Sequence, residues 1–403
     1  MDELGSDSTA SISIKVGKSD YDSKTSNTLD LAVIKHKITQ ISNINNGSDD
    51  APWNLTVFNG ALYFTAIKDP QTGYQKLYKY DGSKIKQISD VNTGGNDAPG
   101  NLKVFNGALY FNVFDSSWRD KLYRYNGNVI VQVSDVDSGG ADNINYSTVF
   151  DGGLYFSAYN GVIGNKLYKY DGINPIAMVS DINPGSWDNI YNVTAGDGAL
   201  YFDAYNPGNG GDKLYKYSAG TIVQVSNTNV GGGDSVAYLT EFNGDLYFAA
   251  VSSSQGYQKI YKYDGNNITQ ISNINVNGDD RPQCLTVLNG ALYFSASFNT
   301  NGDTKLYKYD GNTITQVTDI NSGHSDNVYN LIVFNGELYF SAYNSVVAGN
   351  KLYKYDGVGT IFQISNITGG DDQVSDMTVF NGSLYFSATN DSYNVYRKLY
   401  KFE

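Results

Sequence analysis

Leu62-Tyr63-Phe64 is followed 47 residues later by Leu109-Tyr110-Phe111, and the same triplet returns at Leu154, Leu200, Leu246, Leu292, Leu338 and Leu384, at an interval of 45 and then of 46 residues each time. A period of that length, filled with Leu, Tyr, Phe, Ile and Val and bounded by Asn-Gly and Asp-Gly pairs, is the mark of a radial array of small antiparallel sheets, one per repeat. The expected fold is all-β: an eight-bladed β-propeller of four-stranded antiparallel blades.

Two further phrases keep the same period. KLYKY or a close variant lies around Leu77, Leu122, Leu167, Leu214, Ile260, Leu306, Leu352 and Leu399, and QIS or QVS around Ile41, Ile88, Val133, Val179, Val225, Ile271, Val317 and Ile364. The chain enters on the third phrase and stops on the second, so the last repeat lacks a final strand and the first segment has one to spare. Residues 31–42 are therefore expected to add the outer strand to the blade built from residues 376–403, removing the free edges an open array would present. Within the first repeat the expected strands are A at 55–58, B at 62–66, C at 76–80 and D at 85–91. Asn59-Gly60 and Asp81-Gly82 suit tight hairpins between A and B and between C and D. Strand direction alternates, so both tight turns fall on one face of the disc. The longer B to C and D to A connections fall on the other, here called the loop face.

Unbroken phase across eight repeats merges the 403 residues into one ring, residues 31–403, preceded by a polar tail of residues 1–30. The tail holds no apolar run long enough for a signal peptide or a membrane helix, so membrane insertion is not expected. The single Cys284 rules out an intrachain disulfide and is read as buried filler. Sixteen of the 28 Lys and Arg residues are the two basic positions of the KLYKY phrase, with heads expected to stay in water. Acid gathers in the D to A connections, and with a net charge of −13 and no basic patch outside the phrase, nucleic acid is discounted as a partner.

Most tyrosines belong to the repeated phrases and are scaffold. The three tryptophans do not: Trp53, Trp118 and Trp187 fall in loop-face connections, as do Tyr74, Tyr146, Tyr159, Tyr191, Tyr205, Tyr257, Tyr329, Tyr343 and Tyr393. Flat rings beside Asn, Asp and Gly are what stacking on a sugar requires, and Trp53, Tyr74, Trp118, Tyr159, Trp187, Tyr205, Tyr257 and Tyr343 are the candidate ligand-binding residues. The structural alternative is that they cap the blade tops.

Aligned on the QIS phrase, the D to A connections read DVNTGGND from Asp90, DVDSGGAD from Asp135, DINPGSWD from Asp181 and DINSGHSD from Asp319, with close relatives from Asn43, Asn227 and Asn273. A shorter copy, NITGGDD, starts at Asn366. Oxygen-bearing side chains around a glycine turn suit Ca²⁺, which makes Asp90, Asn92, Asp97, Asp135, Asp137, Asp142, Asp181, Asn183, Asp188, Asp319, Asn321 and Asp326 the candidate metal ligands. The spacing is not that of an EF-hand, and Asx turns account for the same residues without a metal.

Catalytic residues are not apparent. His36 and His324 are unrelated in repeat position, and no nucleophile arrangement or phosphate loop is present. Glu241 stands where other repeats carry Val or Ala in strand A, which places a carboxylate in or beside the central channel.

Leu338 to Ala342, Lys351 to Gly357 and Asp319 to Gly323 together resemble the ELWxxDGT-type repeats of large bacterial secreted and surface proteins, with Tyr in place of Trp and no Thr after the Gly. The resemblance spans the ring and implies an extracellular or cell-surface propeller without established catalytic residues. The function expected is non-catalytic binding, lectin-like and calcium-assisted, with a glycan or surface polysaccharide as partner. The alternatives are a scaffold for a protein partner and a carbohydrate-processing enzyme.

Overall fold

The computed structural model describes residues 37–252, 256–390 and 396–403. Within them the chain forms eight four-stranded antiparallel sheets, each ordered by simple up-and-down connection. Numbered from the first complete repeat, blades 1 to 7 span residues 53–87, 100–132, 145–178, 191–224, 237–270, 283–316 and 329–363. Blade 8 takes three strands from residues 375–402 and its outer strand, Ile38–Gln40, from the other end of the chain. Ile38 lies opposite Phe402 and Gln40 opposite Tyr400, so the ring closes as the phrase order requires. The remainder of the expected closing segment, residues 31–36, and the tail lie outside the described residues.

In blade 1 the strands are Trp53–Phe58, Ala61–Asp69, Tyr74–Tyr80 and Ile85–Gln87. The two central strands run further toward the loop face than the phrases alone suggest, and the outer strand is three residues rather than seven. It ends early because Ser89 turns inward, its Oγ accepting the Leu77 amide at 2.9 Å. That bond takes the chain out of the ladder and into the D to A connection.

The eight innermost strands contact one another in sequence around the ring and back to the first, enclosing the central channel. Each carries a bulge whose second residue has a left-handed backbone: Asn54, Asn101, Tyr146, Asn192, Tyr238, Cys284, Asn330 and Asp376. Asn tolerates positive φ better than most residues. Here it also gains a partner, because Asn101 donates its amide to Ile144 O at 3.0 Å and Asn192 to Val236 O at 2.7 Å, each in the next blade. Cys284 occupies one of these bulges and is half-buried, which corrects its reading as buried filler.

Between blades the LYF tyrosine packs on the last ring of the next KLYKY phrase. Tyr63 meets Tyr125 at 6.0 Å between centroids, Tyr155 meets Tyr217 at 5.9 Å, and the series ends where Tyr385 meets Tyr80 at 6.0 Å. Leu62, Tyr63 and Phe64 are all buried, as are their counterparts. The repeated aromatic residues are thus the mortar of the ring, with tilted and edge contacts that add to simple burial.

Candidate functional site

The first lysine of each KLYKY phrase is buried in all eight repeats, contrary to the expectation of wet heads. Lys76 Nζ lies 2.7 Å from Asp90 Oδ1, 2.9 Å from Asp97 Oδ1 and 3.0 Å from the carbonyl of Asn92. Lys121 makes the same contacts with Asp135, Asp142 and the Asp137 carbonyl, Lys166 with Asp181, Asp188 and the Asn183 carbonyl, and Lys305 with Asp319, Asp326 and the Asn321 carbonyl. These are the residues predicted to bind a metal. The cation they hold is the protein's own ammonium, delivered from the neighbouring strand. The last carboxylate also gathers backbone amides, Asp97 accepting from Asn92 N at 2.8 Å and Val91 N at 3.2 Å, so each connection is folded around a buried charge pair. A metal ion in that position would have to displace the lysine. Among the described residues no group of three or more His, Cys, Asp or Glu side chains is otherwise placed to hold one.

The second basic residue of the phrase does keep partial access to water. Lys169, Lys216 and Lys308 lie over the LYF tyrosines Tyr155, Tyr201 and Tyr293 at 5.3, 5.7 and 6.0 Å.

The predicted ligand-binding aromatics are spread around the loop face. Trp118 is 60 % exposed and among the described rings touches only Phe114, Trp53 is half-buried with its indole Nε1 unpartnered among the described residues, and Tyr74, Tyr205 and Tyr343 belong to separate blades. Tyr257 lines a cavity of about 200 Å³ with Arg281 and Asn299. Only Tyr159 and Trp187 meet, edge to face at 5.5 Å. They open a larger cleft of about 300 Å³ between blades 3 and 4, completed by Tyr146 and Tyr191, which are themselves in edge contact at 5.5 Å. Asn143, Asn145, Asn165 and Asn189 supply its amides. The geometry depends on Gly164, where a Cβ would come within 2.0 Å of the Trp187 ring, so the indole lies flat over bare backbone while remaining 51 % exposed.

Beside this cleft, blade 4 holds a feature the sequence reading missed. Immediately after the LYF phenylalanine the blades carry Thr65, Asn112, Ser157, Asp203, Ala249, Ser295, Ser341 and Ser387, and immediately before KLYKY they carry Gln75, Asp120, Asn165, Asp212, Gln258, Thr304, Asn350 and Arg397. Where these two positions bond each other, a donor faces an acceptor: Asn112 to Asp120 at 2.9 Å, Asn165 to Ser157 at 3.2 Å, Arg397 to Ser387 at 3.3 Å. Blade 4 alone has two acids. Burial pushes Asp203 up to about 8, with Asp212 and Asp234 raising it further and Lys213 opposing them. Asp120 is pushed up to about 7 by burial even though Asn112 and the Ile144 amide hold it. The signal in the sequence was LYFDA at Leu200 to Ala204, where every other copy has an uncharged fourth residue.

Glu241 is exposed, and its Oε2 accepts the Asp197 amide of the adjacent blade at 3.2 Å. His324 is exposed in its D to A connection, and His36 lies outside the described residues, as does Tyr393. No helix among the described residues is long and apolar enough to cross a membrane.

No family model matches the chain, and no curated protein matches it. Solved structures do match. The β-propeller domain of the Trilobed protease from Pyrococcus furiosus is 11 % identical with a TM-score of 0.51, covering 78 % of this chain and 98 % of that domain. Its description is of an open velcro topology, whereas the present ring is closed by its N-terminal strand. Porphyromonas gingivalis dipeptidyl peptidase 4 is 12 % identical with a TM-score of 0.54, and a puromycin-hydrolyzing peptidase of Mycobacterium tuberculosis is 10 % identical with a TM-score of 0.53. The chain covers 57 % and 58 % of their lengths. At these identities the likeness is one of fold. The lectin-like reading is nevertheless corrected: the solved structures named above are peptidases or a domain of one, and the aromatic residues on which that reading rested are scattered over separate blades apart from a single pair.

Proposed function

We propose that the ring is a polypeptide-binding platform of the kind associated with peptidases, docking an extended segment on its loop face in the cleft between blades 3 and 4. The observation that carries this reading is the grouping of Tyr146, Tyr159, Trp187 and Tyr191 with four asparagine side chains around one open cavity. Extended peptides are held by rings that pack on proline or apolar side chains and by amides that pair with the peptide groups between them. Broad, rigid rings do this at low entropic cost, which is why such residues dominate interface energetics. The net charge of −13 favours a segment that is basic or neutral. In this reading the ring contributes recognition, and no residue of it attacks the bound chain.

The test is selection of short unstructured peptides on the immobilised protein, followed by calorimetry of those enriched. Selected peptides are expected to bind the wild type and to lose about tenfold or more in affinity with Trp187→Ala. Failure to enrich any peptide, or unchanged affinity in that variant, would overturn the proposal.

A further inference from the structure

The acid pair of blade 4 has a filled counterpart on the opposite side of the ring. In blade 8 the guanidinium of Arg397 occupies this register, with Nη2 on the Gln373 carbonyl at 2.9 Å and on Ser375 Oγ, and Nε on Ser387 Oγ at 3.3 Å. Strand pairing maps one blade on the other. Ser375 lies opposite Ser387 as Tyr191 lies opposite Asp203, and Leu399 lies opposite Ser387 as Leu214 lies opposite Asp203. Thus Asp212 stands where Arg397 stands, Asp203 where Ser387 stands, and Asn189 where Gln373 stands. The Ser387 acceptor is thus strengthened to a carboxylate, the ring of Tyr191 takes the place of Ser375, and a second acid stands where blade 8 has its guanidinium.

Asp203 is 4 % exposed and its Oδ1 has no hydrogen-bond partner. A buried carboxylate oxygen left so is costly, and natural proteins seldom leave one unmatched. Asp212 lies on the same face of the sheet, opposite Tyr205, one diagonal step from Asp203. It is half-buried, and the exposed ring of Tyr191 rims the pair. Tyr191 and Asn189 also line the aromatic cleft, so the acid pair adjoins it.

We infer that Asp203 and Asp212 form a receptor for an organic cation, the guanidinium or alkylammonium head of an arginine or lysine side chain on a partner polypeptide, seated as Arg397 is seated in blade 8. The inference rests on the polypeptide-binding reading for the source of the cation, and it names the side chain that the segment in the cleft would present. Eight buried lysines show that carboxylates and carbonyls of this fold hold such heads at 2.7 to 3.1 Å. Until a cation arrives the pair retains a proton, because burial together with Asp212 and Asp234 disfavours ionisation of Asp203 more than the Ala204 amide and Lys213 assist it. Binding therefore releases that proton, and affinity rises with pH up to the region of 8.

The probes are ethylguanidinium chloride and propylammonium chloride, with potassium chloride as the ionic-strength control, and the readout is the carboxyl carbon resonances of Asp203 and Asp212. A saturable shift is expected with an organic cation, weakening about tenfold per unit as pH falls, and lost in both Asp203→Asn and Asp212→Asn once circular dichroism shows each variant folded. Tighter binding of ethylguanidinium assigns an arginine, and tighter binding of propylammonium a lysine. The inference is overturned if potassium produces the same shifts, if neither organic cation does, or if the shifts survive in both variants. Because these probes are not peptides, their failure leaves the cleft's peptide binding standing. Conversely, their success alongside a failed peptide selection would sink the platform and keep the cation site.

Discussion

Asp203 illustrates how one residue changes meaning with its neighbours. Serine at this position in four blades is a modest acceptor, and aspartate in the same place is a carboxyl removed from water beside a second acid. Its folded value of about 8 lies far above the roughly 3.9 of an unfolded aspartate. The folded protein therefore binds more protons than the unfolded chain between those limits, and stability falls as pH rises through the window. Asp120, at about 7, acts in the same direction over a narrower range. Thermal unfolding followed from about pH 5 to about pH 8 should show a declining midpoint in the wild type and a flatter profile in Asp203→Ser, which restores the residue of the other blades. Equal slopes would mean that the carboxyl is not protonated in the fold. None of this was legible in the composition. It lies in the relation between two positions of the repeat, where blade 4 has a second acid in place of a donor.

At the scale of the element, the D to A connection is organised by a lysine that does not belong to it. The pattern of Asp, Asn and Gly announced a turn that gathers oxygens. That the charge at its centre would be an ammonium from strand C was hidden, because in blades 1 to 7 the lysine lies 14 to 22 residues earlier and only the return of the chain over the blade brings them together. Removing one partner of a buried pair leaves the other uncompensated, so Lys166→Met should lower unfolding free energy by about 3 to 5 kcal/mol in urea titration. Replacing Lys166 together with Asp188 by apolar residues should cost less than the single change, and a larger loss in the double variant would show that the knot is not an isolated pair. The aromatic cleft is a similar case. Tyr159 and Trp187 shared their sequence signal with six other rings, and only the packing of an indole on Gly164 distinguishes the pair that opens a cleft.

For the whole molecule the decisive joint is between the chain's two ends. Ile38–Gln40 pairs with Arg397–Phe402, and just beyond it Lys398 Nζ reaches Asp50 Oδ1 at 3.0 Å and the Asn45 carbonyl at 2.8 Å, so both a ladder and a buried ion pair clasp the ring. Deleting residues 1–42 should expose the Arg397–Phe402 edge and produce concentration-dependent association in light scattering, while deletion of residues 1–36 should leave the protein monodisperse. Association in neither case would show that the outer strand is dispensable for closure.

The sequence by itself determined the number of blades, their four-stranded form, the closure and the division of the disc into two faces. These follow from periodicity and turn chemistry, which act between residues close in the chain and repeat eight times. Which loop residues come together depended on the tertiary structure. The ammonium in each acidic turn, the one pair of rings that opens a cleft and the acid pair of blade 4 all depend on distances between side chains from different strands, which no local pattern carries.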